Sequence, residues 1–172
     1  MNPNAMFTFR EITATDIPAV QLFIIRHLNL YFSANRPAPA PHEDVFDINH
    51  QYIQQQRSLL LGVWNAQQQL IATLAVCQYN DRISILKGRY ELSETAEICR
   101  CYVEKDYRRQ GIGSQLVALA EQFCQSQRYK IRYLHTHHFL PGGYQFWLRH
   151  HFTVFSDEGG GQQIVHMEKQ SQ

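Results

Sequence analysis

The residues best placed to do chemistry lie in one short run, Arg108-Arg109-Gln110-Gly111-Ile112-Gly113-Ser114, where two cations lead into two glycines. From Gly111 onward the chain has the periodicity of a helix. The first turn of a helix has N–H groups with no internal acceptor, and the helix dipole makes that end favourable for an anion. Glycine at 111 and 113 removes side chains that would hold a phosphate away from those amides, and Arg108 and Arg109 add positive charge. A strand, a glycine-rich turn and a helix in that order make a seat for a phosphate or diphosphate. A plainer reading also stands, in which Gly111 lets the loop turn and Gly113 packs closely on a sheet. No Gly-Lys-Ser/Thr follows, so this is not a Walker loop, and the three-glycine dinucleotide pattern is absent.

Two other residue types invite the same question. The four cysteines, at 77, 99, 101 and 124, form no CxxC pair and mostly lie in apolar stretches. They read as reduced, largely buried thiols of a cytoplasmic protein. Five of the nine histidines fall in "LHTHH" and "RHH". His135 and His137 share a strand face and could ligate a metal, but no cysteine or carboxylate stands near them in sequence to complete a set. The expectation is no metal. His137 or His138 could instead touch a substrate or relay a proton, or be solvated loop residues.

The elements that must position these groups follow from periodicity. Phe7–Ile12 alternates as an opening strand. A helix comes next, capped by Thr15 or Asp16, with Pro18 in its first turn and a stripe of Ile17, Val20, Ile24 and Leu28. The three prolines of Ala34–Asp44 demand an extended or looped path over a surface or pocket, and "FDINHQYIQQQ" suits a short helix. "SLLLGVWN" and "LIATLAVCQY" around "AQQQ" read as a hairpin. "NDRISILKGRYELSET" is a loop with room for a short helix. Ala96–Val103 is a strand, "GIGSQLVALAEQFCQSQ" an amphipathic helix with Ile112, Leu116, Ala120, Phe123 and Cys124 on one face, and "IRYLHTH" another strand. "GGYQFWLRHH" makes a short helix, and a hairpin about Gly159–Gly161 closes the chain. Mixed strands and helices place the fold in the α/β or α+β class.

Bulk properties narrow the function. With 172 residues the chain is expected to form one domain over 1–172. A net charge of +1 gives no argument for nucleic acid or an anionic membrane. The start lacks the regions of a secretory signal, and no apolar run approaches the ~20 residues of a membrane span.

The stretch "AEICRCYVEKDYRRQGIGSQLV" resembles the core motif of the GCN5-related N-acetyltransferase (GNAT) superfamily, a strand followed by Arg/Gln-x-x-Gly-x-Gly/Ala at a helix start. Arg108, Gly111 and Gly113 carry it, and the order of the other elements agrees over nearly the whole chain. The resemblance implies a splayed, mixed sheet of about seven strands with about four helices, and acetyl-CoA as cosubstrate. It places the diphosphate on the amides of Arg109, Gln110, Gly111, Ile112, Gly113 and Ser114. The pantetheine arm is then expected along the backbone of Cys101, Tyr102 and Val103, with the Cys101 N–H facing the acetyl oxygen. The Cys101 thiol is not required, although a cysteine nucleophile stays open.

Glu97 matches the general base of the histone-acetylating branch of the superfamily. Residues 97, 99, 101 and 103 are expected on one strand face; the alternative for Glu97 is a carboxylate paired with an arginine such as Arg100 or Arg132, or a solvated strand end. "GYQFWLRHHF" matches the family's Ala-x-x-Phe-Tyr-x-x-x-Gly-Phe helix, but Trp147 stands in the tyrosine position and His151 in that of the glycine. An indole N–H is not a usable acid, so Tyr144, one turn earlier, is the candidate acid or else a packing aromatic. The expected activity is direct transfer of an acetyl group to a small-molecule or peptide amine, with a homodimer allowed. The competing class is a non-catalytic module that binds CoA.

Overall fold

The computed structural model describes residues 6–38 and 42–171. Seven strands, β1 (Thr8–Glu11), β2 (Leu59–Trp64), β3 (Leu70–Gln78), β4 (Thr95–Val103), β5 (Ile131–His137), β6 (Thr153–Gly159) and β7 (Ile164–Gln170), form one sheet. Their order is β1-β2-β3-β4-β5-β7-β6. Four α-helices intervene: α1 (Ile17–Tyr31), α2 (Glu43–Phe46), α3 (Ile112–Ser126) and α4 (Gly143–Arg149). β4 runs parallel to β5 while β1–β2, β5–β7 and β6–β7 are antiparallel, so the sheet is mixed as expected.

Contacts divide the chain into two compact units. The first comprises the described residues up to Ala75 together with Arg100–Glu121. Its hairpin partner strand β2 is buried along its whole length, with Leu59, Leu60, Leu61 and Val63 in the core beside Ile71, Leu74, Ile112 and Leu116. Ahead of α1, Thr13 and Asp16 form a capping box over a 3-10 turn, and Arg10 forks onto Asp16 at 2.7 and 3.0 Å. That box satisfies donors a helix start leaves open. On α1 the buried face is Val20, Phe23, Ile24 and His27; Ile17 and Leu28 of the expected stripe are only half-buried. The Pro-rich segment is turned or extended up to residue 38, its residues 39–41 lie outside those described, and its end, Glu43 and Asp44, opens α2. The helix expected over "FDINHQYIQQQ" is broken: α2 ends at Phe46 and a π-helical turn spans Asn49–Ile53.

The second unit comprises Val76–Cys99 and Gln122–Gln172. Seven antiparallel pairs, Ile131↔Gln170 to His137↔Ile164, join β5 to β7, and β6 closes on β7 with two register shifts. Tyr79, Leu86, Tyr90 and Tyr133 make an aromatic core with Phe155 against it. The segment "NDRISILKGRYELSET" is a loop with two 3-10 turns, Ser84–Leu86 and Leu92–Glu94.

β4 departs from regular alternation. Its Arg100 has φ +51°, in the left-handed region. Hydrogen bonds to β3 locate the consequence: Tyr79 N–H donates to Thr95 C=O, and Ile71 C=O accepts from Glu104 N–H. Opposed residues share such bonds in an antiparallel pair, so the stretch from Thr95 to Glu104 is one residue longer than the stretch from Ile71 to Tyr79. That extra residue is a β-bulge. It breaks the period of two, so the expectation that 97, 99, 101 and 103 share one face does not hold.

Candidate functional site

In the first unit the strand, turn and helix of the glycine run come together as one structure. After β4 the chain makes a 3-10 turn, Lys105–Tyr107, and reaches α3 through Arg108–Gly111. Arg109 (φ +61°) and Gly111 (φ +82°) are both left-handed. At Gly111 a Cβ would meet nothing within 4 Å, so glycine is favoured there by conformation and the space above it is open. The first helical bond runs from Gln115 N–H to Gly111 C=O at 3.0 Å. That bond closes the first turn of α3, and no acidic residue stands in that turn. Gly111 and Ser114 are exposed, and Ile112 is buried into the core. An anionic, narrow group fits this end.

The two arginines have different tasks. Arg108 is half-buried; its Nε donates to Val103 C=O at 3.1 Å and its Nη2 to the Tyr31 hydroxyl. It braces the loop against the end of β4 and against α1. Arg109 is exposed, as is Gln110, whose amide donates to Asp106 C=O. Tyr102 stacks on buried His27 with ring centroids 5.2 Å apart. Burial pushes the His27 imidazole below its ordinary value, more strongly than its bond to Phe23 C=O raises it.

Sequence reasoning missed the side-chain partners of β4. Arg100, the left-handed residue, forks onto Asp44 of α2 with Nε to Oδ2 at 2.9 Å and Nη2 to Oδ1 at 2.7 Å. The Tyr52 hydroxyl donates to the same Oδ2 at 2.7 Å. Burial pushes the Asp44 carboxyl up, but the hydrogen bonds and charge of Arg100 outweigh it and the carboxyl lies below its ordinary value. Arg100 C=O accepts from Thr73 Oγ1 at 2.8 Å. A left-handed non-glycine residue costs about 1–3 kcal/mol and persists only where its surroundings hold it; here both its side chain and its carbonyl are held.

In the second unit Glu97 is 2% exposed. Its partner is an arginine, Arg82 from the loop after β3, rather than Arg100 or Arg132. Both guanidinium nitrogens lie 2.7 Å from its two carboxylate oxygens. Arg132 donates to Tyr129 C=O. The Arg82 guanidinium loses by burial and gains more from Glu97, so its pKa is raised. Cys77 lies 4.0 Å from Glu97 Oε1, and its thiol is pushed up by a hydrogen bond with Cys99 and by burial. Only Cys124 is fully buried; none of the four cysteines is in a disulfide.

Tyr144 is half-buried and meets His138 edge-on at 4.9 Å. Trp147 is a packing residue, 6% exposed, against Phe146 and Phe152. The histidines are engaged locally: His138 Nε2 with Asp157 at 2.7 Å, His137 Nδ1 with Gln162 C=O at 2.6 Å, and His135 half-buried at 6.1 Å from the His137 ring. His166 bridges the Tyr133 hydroxyl and Glu158. Among the described residues no group of three or more His, Cys, Asp or Glu could hold a metal ion. No helix among them is long and apolar enough to cross a membrane.

The described fold is a seven-stranded mixed sheet whose central strand runs through a glycine turn into a helix start. The model of the acetyltransferase (GNAT) family matches residues 24–152, and the chain belongs to that family. Acyl transfer from coenzyme A is the family's chemistry. No curated protein matches the sequence. Solved structures share the fold. A GNAT-family acetyltransferase from Staphylococcus aureus Mu50 superposes with a TM-score of 0.75 at 14% identity, covering 95% of this chain and 98% of that one. A ribosomal-protein-alanine N-acetyltransferase from Brucella melitensis gives 0.71 at 12%, covering 95% and 99%. The PaiA N-acetyltransferase from Thermoplasma acidophilum, in complex with coenzyme A, gives 0.65 at 20%, covering 96% and 99%.

Proposed function

We propose that the protein transfers an acetyl group from acetyl-CoA to a primary amine, on a small molecule or a peptide, by direct attack with both substrates bound. The observation that carries this is the open, left-handed turn at Gly111 at the amino end of α3. The coenzyme A bound to the Thermoplasma relative supports it. The amides of Arg109 to Ser114 hold the diphosphate, with Arg109 as the exposed cation beside it and Arg108 as the brace that keeps the loop in place. The backbone of Cys101–Val103 takes the pantetheine arm. The bound thioester supplies an activated acyl group.

The chain's own groups then have three tasks. The Cys101 N–H stabilises the negative charge that develops on the acetyl oxygen. Glu97 takes the proton that an ammonium must lose before it can attack. Its fork with Arg82 engages two of its roughly four lone-pair sites. As the C–S bond breaks, Tyr144 gives its hydroxyl proton to the departing thiolate and regains one from solvent, while the second proton on the attacking nitrogen leaves to water. The reaction runs in the cytoplasm, where four thiols remain reduced.

A thermal-shift series with acetyl-CoA, CoA and ATP tests binding. At a hundred times the dissociation constant, ligand adds roughly 2.7 kcal/mol to stability. Acetyl-CoA and CoA should raise the midpoint and ATP should not. Thiol release over a mixed amine panel tests transfer. A clear CoA shift with no turnover on any amine supports a binding module instead, and no shift with either CoA species overturns the reading.

A further inference from the structure

The bulge in β4 stands immediately before Cys101, and what holds it lies elsewhere in the sequence. Arg100 adopts φ +51°, a conformation that arginine does not favour and glycine does. Nothing in its own type keeps it there. Its contacts do: Thr73 Oγ1 donates to its carbonyl at 2.8 Å, Asp44 accepts both arms of its guanidinium at 2.9 and 2.7 Å, and His42 Nδ1 lies 3.5 Å from its Nη2. The fork is sheltered, with side-chain exposures of 12% for Arg100 and 21% for Asp44. Asp44 is itself fixed by the Tyr52 hydroxyl at 2.7 Å. The peptide that joins Arg100 to Cys101 carries the Cys101 N–H, so the torsions of Arg100 set where that N–H points.

We infer that Asp44 is a positioning residue: its fork with Arg100 holds the left-handed turn of β4 and thereby aims the Cys101 N–H at the acetyl oxygen. This rests on the proposed role of the Cys101 N–H in facing that oxygen. Asp44 touches neither substrate; it acts through Arg100. A short helix more than fifty residues upstream thus keeps the strand in its active shape. Hydrogen bonds weaken steeply as their angle closes, so releasing the turn should cost the Cys101 interaction while leaving the diphosphate seat intact.

The test uses the full chain labelled with 15N-cysteine, which gives four backbone amide signals to follow; Cys101→Ser identifies the one concerned. The readout is the difference in the Cys101 amide shift between protein saturated with CoA and with acetyl-CoA, which isolates the acetyl group and needs no acceptor. In the wild type a difference is expected. Asp44→Ala should reduce it by about half or more, with CoA affinity changed less than about threefold. Asp44→Ala with Arg100→Gly should restore it, because glycine holds a positive φ without a fork. Should Asp44→Ala fail to fold, Arg100→Ala against Arg100→Gly asks the same question: alanine should lose the difference and glycine keep it. An undiminished difference in Asp44→Ala, or a loss that glycine does not restore, overturns the inference. A wild type whose cysteine amides and midpoint respond to neither CoA species overturns the acetyl-CoA reading itself. A wild type that binds both alike, with no acetyl-dependent shift, overturns the role of the Cys101 N–H and this inference with it.

Discussion

β4 carries two arginine–carboxylate forks three residues apart, and they are mirror images in role. At position 97 the strand supplies the carboxylate and a loop supplies Arg82; at position 100 the strand supplies the arginine and α2 supplies Asp44. The first acid is nearly sealed, with 3% of its side chain exposed against 31% for its arginine. In the second the arginine is the more buried partner, at 12% against 21%. Glu97 sits in the regular part of the strand, so its fork has a charge to compensate. Arg100 is left-handed, so its fork has a backbone to hold. Similar geometry thus meets two physical problems, a desolvated anion and a strained torsion. They should fail differently when broken.

Removing Arg82 should have the largest effect. In Arg82→Met the buried carboxylate loses its forked partner, and breaking such a pair costs about 3 kcal/mol, at the low end of the usual range because Arg82 is partly exposed. Urea denaturation of Arg82→Met against the wild type reads this cost directly. Glu97→Gln comes next: turnover on whichever amine proves active should fall about a hundredfold, with acetyl-CoA affinity unchanged by calorimetry. Undiminished turnover removes Glu97 from the mechanism and leaves its fork purely structural.

How much of this the sequence disclosed depends on the range of the physics involved. The Gly111 turn, α3 and the β2–β3 hairpin are local patterns of turn residues and periodicity, and they were legible as such. So was the family, because its motif spans a contiguous stretch from β4 into α3. The two forks were not. Arg82 lies in a loop without periodicity, and nothing in "NDRIS" says that its guanidinium reaches a strand fifteen residues on. Asp44 follows a Pro-rich segment and meets Arg100 only through tertiary packing. The bulge was hidden for a related reason: no arginine propensity signals a positive φ, so strict alternation was the natural expectation for 97 to 103 and it failed there. The histidines looked chemically loaded in sequence, yet His138 pairs with Asp157 and His137 with Gln162 C=O.

The second fork should break more gently. Arg100→Ala loses the fork and keeps the strain; Arg100→Gly loses the fork and the strain together. Chemical denaturation should therefore find the alanine variant less stable than the glycine variant by about 1–2 kcal/mol, where an ordinary strand position would give the reverse order. Gly111 sharpens the contrast. It solves a left-handed turn without any fork, simply by lacking a Cβ, and no neighbour crowds it. Gly111→Ala should cost only about 1 kcal/mol by denaturation while weakening acetyl-CoA, since the new methyl group projects into the open space over the turn.

The most direct test of the central claim, that the amino end of α3 grips the diphosphate of coenzyme A, is a titration of 15N-glycine-labelled protein with CoA. The Gly111 and Gly113 amides should shift strongly and saturably, and Gly142 and Gly159–Gly161 should scarcely move. Binding that leaves Gly111 and Gly113 in place, or that moves only the distant glycines, would contradict the account.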